Sequence, residues 1–313
     1  MLARRSFLFA AAATLALPAS ARASTLDAAS LGLKPGAAED QTRAMQRAVE
    51  TAAGSRMPLR LAPGAYKVGE IRLPANTQII GVRGATRLLF QGGTACLTSQ
   101  RADMVTLSGL VIEGNGKALP EKRGLIVLEH GRGVRVEDCE IAGSSHHGIV
   151  LEGIEGLVRG NTVSGVAKAA IVALDSRGLT LAQNTIRSAA NNGILVWRTL
   201  AGDDGTIVEG NRIEEIGARD GGSGQNGNAI NVFRAGNVTV TGNRIRGAAF
   251  SAVRANGAAN VAVTGNNCAS LGEVAVYIEF GFEGAVVANN IIDGAALGSV
   301  ATNFNHGGRL ANI

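Results

Sequence analysis

The chain has 313 residues, enough for one large domain or two small ones. Its 43 glycines and 4% aromatic content exclude a helical bundle, and its 46% apolar content excludes disorder. The formal charge of +5 rests on three arginines near the N-terminus; without Arg4, Arg5 and Arg22 it falls to +2, which gives no case for a nucleic-acid partner.

The first 23 residues read as a leader. They carry a charged start, an apolar run from Phe7 to Leu17, and a small-x-small cleavage site at Ala21-Arg22-Ala23. The run is short for a membrane span. Arg4-Arg5 followed by Ser6-Phe7-Leu8 has the form of a twin-arginine signal, so residues 1–23 are expected to direct export across a bacterial inner membrane. After cleavage no membrane anchor is expected, and the mature chain would be periplasmic or extracellular.

Residues 24–57 read as an N-terminal cap. Asp40 or Thr42 can start a helix that places Ala44, Met45, Ala48, Val49 and Ala52 on one face, and Gly54 ends it. Such a helix suits the task of covering the open apolar end of a solenoid.

The rest of the chain repeats itself. NVTVTGN begins at Asn237 and NVAVTGN at Asn260. One column holds Cys139, Asn161, Asn184, Asn211, Asn243, Asn266 and Asn290, at spacings of 22, 23, 27, 32, 23 and 24. Apolar residues recur three places before this marker and two places after it. A further apolar column holds Ile149, Ile171, Ile194, Ile230, Val253 and Val276.

Short alternating apolar runs broken by Gly and Asn are strands. A unit of about 23 residues made of such strands cannot bury its apolar face alone, so the units must stack. The expected fold is all-β: a single-stranded, right-handed parallel β-helix over residues 24–313, with successive coils ~4.8 Å apart. The six marker asparagines are expected to stack on one another at a turn, their amides satisfying backbone groups. Cys139 and Cys268 then lie five coils apart, roughly 24 Å by that spacing, beyond disulfide reach.

Two repeats are overlong. Their extra residues, 199–206 and 214–228, are expected to form loops, where function concentrates. Residues one and three places after the inward Ile or Val should face outward. These pairs run from Val150/Glu152, Val172/Leu174 and Leu195/Trp197 to Asn231/Phe233, Arg254/Asn256 and Tyr277/Glu279. The later pairs carry aromatic and polar side chains suited to the faces and hydroxyls of sugars. Trp197, Phe233, Asn231, Arg254, Tyr277 and Glu279 are therefore the expected substrate-binding set, walled by the two loops.

Eight arginines between Arg187 and Arg254 share these coils, and Arg forks suit carboxylates, which points to an acidic polysaccharide. Catalysis is harder to place. A lyase needs a base, for which Arg254 and His147 are the candidates, and a hydrolase needs two carboxylates, for which Asp203, Asp204, Asp220 and Glu279 are available. The acidic pair before Gly205 could also take calcium. His147 aligns with Asn192 and Asn228 at a turn.

Gly36-Ala37, Asp40 to Thr42, Ala44 to Ala48 and Pro63 to Tyr66 together resemble the N-terminal region of the pectate-lyase-like superfamily. With Arg4-Arg5 and the coils, nearly the whole chain is similar to bacterial twin-arginine-translocated repeat proteins of the right-handed β-helix type. The resemblance implies the fold and export, and no particular activity. Enzyme motifs of the superfamily do not match. Asn161-Thr162-Val163 lacks the carboxylate of the polygalacturonase Asn-Thr-Asp, and His146-His147-Gly148 precedes Asp203-Asp204 instead of following it. No proline follows Pro120, so the later coils hold no Arg-x-Pro, and no Asp-Pro-His-Glu occurs in the chain.

Two function classes follow: an exported protein that binds or processes a polysaccharide, as a lyase or hydrolase if catalytic, or a non-catalytic structural or adhesive solenoid. After Asn290 the next marker would fall at about 313 to 315, so the last coil is expected to be cut short, leaving an uncapped end for further chain or a partner.

Overall fold

The computed structural model describes residues 25–280, 283–302 and 310–311. The leader at 1–23 and most of the last coil lie outside them. Among the described residues the chain is a parallel β-solenoid in which strands pair with their equivalents one coil before and one coil after, the end rungs on one side only.

Each coil carries three strands. A front strand (149–152 in one coil) bends into a flank strand (156–159), and after the marker Asn161 comes a back strand, Thr162–Val166. Front and flank strands join one 20-stranded sheet, and back strands form a second sheet of ten. The apolar columns of the sequence are the registers of these sheets. Ile149 pairs with Ile171, then Ile194, Ile230, Val253 and Val276 on the front. Val163, Ile186, Ile213, Ile245 and Cys268 do so on the back. All of these are buried in one continuous core.

The marker asparagines form a ladder inside the turn between flank and back strands. Asn184 Nδ2 donates to Val158 O at 2.9 Å and to Asn211 Oδ1 at 3.0 Å, while the Asn184 backbone N–H donates to the same Oδ1 at 2.9 Å. The same pattern runs from Asn161 to Asn290. At the start of the ladder Cys139 supplies only its backbone N–H, to Asn161 Oδ1 at 2.9 Å. All three cysteines are free and buried.

The helix spans Thr42–Gly54 and buries Met45, Ala48, Val49, Ala52 and Ala53 against the first coil. The N-cap position is Gln41, which makes no side-chain cap bond, so neither Asp40 nor Thr42 is the cap: Asp40 Oδ1 accepts from Thr42 N at 2.9 Å from one place further out, and Thr42 opens the helix and takes a hydrogen bond from Gly69 N through its Oγ1. Among the described residues no helix is long and apolar enough to cross a membrane.

The two insertions behave differently. The first continues the front strand as Asn192–Asp203, with a break in register between Trp197 and Gly202. The second, expected as a loop over 214–228, stays in the back strand to Ile216 and leaves the sheet over 217–229, crossing the outer face of the front sheet.

Candidate functional site

The front sheet carries a second apolar cluster outside the core. It consists of Ala95, Val127, Val150, Ala169, Val172 and Leu195, with Leu174 and Trp197 packed on its margin. These are outward-facing positions, and Val127, Val150, Val172 and Leu195 stand at one register on four successive coils. Val150, Val172 and Leu195 floor a groove of about 870 Å³, while Val127 lies buried at its edge. Its last rungs are aromatic: Trp197 and Phe233 pair across adjacent coils, with ring centroids 5.9 Å apart at 64°. Arg234 lies over Phe233 at 4.7 Å and donates through Nη1 to Thr199 O at 2.9 Å.

One wall is polar and built at the turn from back to front strands. His147, Asn191, Asn192, Asp220 and Asn226 line it. His147, Asn192 and Asn228 hold a second ladder. Ala169 N donates to His147 Nδ1 at 3.1 Å, Asn228 N to Asn192 Oδ1 at 3.2 Å, and Ser251 N to Asn228 Oδ1 at 3.2 Å. In this ladder the imidazole nitrogen takes the place of an amide oxygen. Burial and the neighbouring His146 lower the pKa of His147 to about 4. The ring is therefore neutral, its Nδ1 is occupied, and the proton sits on Nε2. It is a hydrogen-bond donor to the groove and not a general base.

The opposite wall comes from Glu152, Arg198 and Thr199. The first insertion is held there by Asp175, which accepts from Thr199 N at 2.8 Å and Thr199 Oγ1 at 2.7 Å.

Most cations of the groove are already committed. Lys168 pairs with Asp220, and Arg123 Nη1 lies 2.6 Å from Glu129 Oε1. Arg198 Nη1 donates to Ser176 O at 3.3 Å and lies 3.9 Å from Asp204.

The expected binding set divides. Trp197 and Phe233 line the groove. Asn231, Arg254 and Glu279 do not: they are outward on the sheet yet only 1%, 5% and 2% exposed. The second insertion covers two of them, since Asn231 Nδ2 donates to Gly224 O at 3.2 Å and Arg254 Nη1 to Ser223 O at 3.0 Å. Arg254 also binds Glu279 at 2.7 Å and Glu273 at 3.1 Å, and stacks over Tyr277 at 4.5 Å. Arg254, Glu279 and Tyr277 thus form an ion and ring cluster beyond the groove, and the first two are too enclosed to meet a substrate.

The arginines divide as well. Arg187, Arg212, Arg244 and Arg246 lie on the back sheet and cannot serve the front groove. The acidic pair also separates. Asp203 is exposed and accepts from Asn237 Nδ2 at 2.6 Å. Asp204 is buried and accepts from Thr206 N at 3.1 Å, and its burial raises its pKa. Among the described residues no group of three or more acids, histidines or cysteines could hold a metal ion.

The sequence reading did not assign the aliphatic floor to the site and missed Asn191 and Asn226; it offered Asp220 only as a hydrolase carboxylate and Asn192 only as a turn residue, and both stand in the polar wall. The signal was present: Val150, Val172 and Leu195 are apolar at positions that the register turns away from the core.

No curated protein sequence matches the chain. Solved structures share its shape at low identity. Tailspike protein 2 of an Escherichia coli O157:H7 bacteriophage superposes with a TM-score of 0.72 at 12% identity, covering 93% of this chain and 42% of its own. The chain thus spans less than half of that tailspike. An exopolygalacturonase of Thermotoga maritima gives 0.66 at 13% identity, covering 93% and 90%. The A-module of the Azotobacter vinelandii mannuronan C-5 epimerase AlgE6 gives 0.61 at 16%, covering 92% and 98%. At these identities the likeness is one of fold. The model of the right handed beta helix region matches residues 87–213 and 158–310, most of the length over which the coils stack, and the chain belongs to that family.

Proposed function

We propose that this protein is an exported envelope protein that seats a polysaccharide segment in the front groove. The observation that carries the reading is the floor. Val150, Val172 and Leu195 lead into Trp197 and Phe233 on consecutive coils, and hydrogen-bonding side chains stand on both sides. A sugar chain has apolar ring faces and polar edges, and this arrangement meets both. The tailspike, epimerase and exopolygalacturonase support the reading as β-helix proteins, two of them named for sugar polymers. The pairing of Arg123, Lys168 and Arg198 with carboxylates favours a neutral chain over a polyuronate. Export rests on Arg4-Arg5 and the leader at 1–23.

The test is a glycan array probed with the chain from Ser24 onward, followed by titration of the hits on tryptophan emission. Trp197 is the only tryptophan, so the signal reports the groove itself. Capture with a saturable change in emission supports the reading; an array with no capture removes it.

A further inference from the structure

We propose that the groove is blind at one end and receives the terminus of a glycan chain, not its interior. This rests on the glycan-binding reading above. The floor register runs through Val150, Val172 and Leu195, and its next position is Asn231. There the floor stops. Asn231 is 1% exposed because the backbone of the second insertion crosses it, with Asn231 Nδ2 donating to Gly224 O at 3.2 Å and Gln225 O at 3.4 Å. One coil further on, at the same register, Arg254 lies under Ser223 in the same way.

The crossing segment is tied down along its length. Asn191 Oδ1 accepts from Asp220 N at 3.0 Å, Asn192 Nδ2 donates to Gln225 O at 2.9 Å, and Gly227 N donates to Asn191 O at 2.5 Å. Gly227 has φ +75, and a Cβ there would stand 2.2 Å from the Phe250 ring, so only glycine lets the segment leave at that angle. Asp220 and Asn226 of the segment face the groove. On the neighbouring register Phe233 is the last rung that lines the groove, with Arg234 held beside it by Thr199 O.

The other end is built differently. Arg123 and Glu129 border the groove and also a second hollow of about 550 Å³, which reaches Gln46 and Glu50 of the helix. Their side chains are 25% and 19% exposed, so the pair is a shared rim and not a wall. Between the two hollows the register runs from Thr98 through Val127 to Val150, and Val127 is buried, so the floor is not continuous there and the passage runs over the Arg123–Glu129 rim. A chain can enter over this rim of side chains from the helix side and must stop at the crossing backbone of the second insertion.

The experiment is an array of linear bacterial and plant oligosaccharides of at least six sugar residues, each printed twice. One copy is tethered through its reducing end and the other through the opposite end. The expected result is capture from one tether only, with at least a tenfold difference between the two. Equal capture from both tethers overturns the inference while leaving the glycan reading intact. Capture of nothing overturns the glycan reading and the inference with it. In solution the captured oligosaccharide, blocked with a bulky group at one terminus or the other, should change Trp197 emission only when the seated terminus is free.

Discussion

Arg254 Nε meets Glu279 Oε1 at 2.7 Å from the adjacent coil, and both side chains are enclosed. Glu273 supplies a second carboxylate to Arg254, and Ser223 a carbonyl. This cluster anchors the segment that closes the groove.

Removing one member of a buried ion pair leaves the other charge uncompensated, at a cost of about 3 to 5 kcal/mol. Arg254→Met should therefore destabilise the protein by about that amount, measured by urea unfolding. A loss below ~1 kcal/mol, the range of exposed pairs, would show that the cluster is not structural.

Trp197→Ala and Phe233→Ala should separate binding from stability. The rings are half-buried on the outer face and fill no part of the main core. Loss of each should weaken glycan binding by about 1–3 kcal/mol, by analogy with stacking on other planar ligands. Calorimetry on the double variant should show a smaller fall in stability than Arg254→Met. A larger fall would mark the rings as structural cover.

His147 makes stability depend on pH. Its folded pKa of about 4 lies below its ordinary value of 6.5, so the unfolded chain binds a proton that the folded chain refuses. The sign follows: the His147 contribution is intact above pH 6.5 and is lost progressively as pH falls towards 4. His147→Asn should keep the ladder, because Asn does the same task at Asn192 and Asn228, and should flatten that part of the stability–pH curve. An unchanged curve would contradict this assignment.

Asn211 sits mid-ladder. Its Oδ1 accepts from Asn184 N and Asn184 Nδ2, and its Nδ2 donates to Leu181 O. Asn211→Ala strands these buried groups, at about 3 kcal/mol. Asn290→Ala, at the less buried end of the ladder, should cost less. Denaturant unfolding of the two variants checks the order.

Cys96, Cys139 and Cys268 are buried, and burial raises each thiol to about 12. A thiol reagent at neutral pH should label none of them in the folded protein and all three after unfolding. Fast labelling of Cys139 would show that the first rung of the ladder opens locally.

Much of the scaffold could be read from spacing alone. Every coil repeats the same inward positions, so columns such as Ile149 to Val276 stand out. The site was only partly legible. Outward alternation correctly turned Val150, Trp197, Asn231 and Arg254 away from the core, but alternation carries no information about what lies on top of them. The covering of Asn231 and Arg254 depends on the path of residues 223–225, which nothing in the period specifies. The arginines were a different case. Arg212 and Arg244 stand one place after the marker asparagine, and Arg187 and Arg246 three places after, both outward slots of the back strand. Their face follows from these offsets, whereas the coil they share with the groove residues says nothing of it.

The parallel stacking also makes the groove a ruler graduated in whole coils. Its floor is one side chain per coil, and its closed end is fixed by an insertion in a single repeat. Adding or deleting one complete unit between Val150 and Leu195 would move the closed end by one step and leave every core register intact. Length of ligand accommodated would then change in integer increments, independently of the contacts that recognise each sugar. A lineage of such proteins can tune how much of a chain it holds by gaining or losing coils, a route closed to folds whose core must be rebuilt around any insertion.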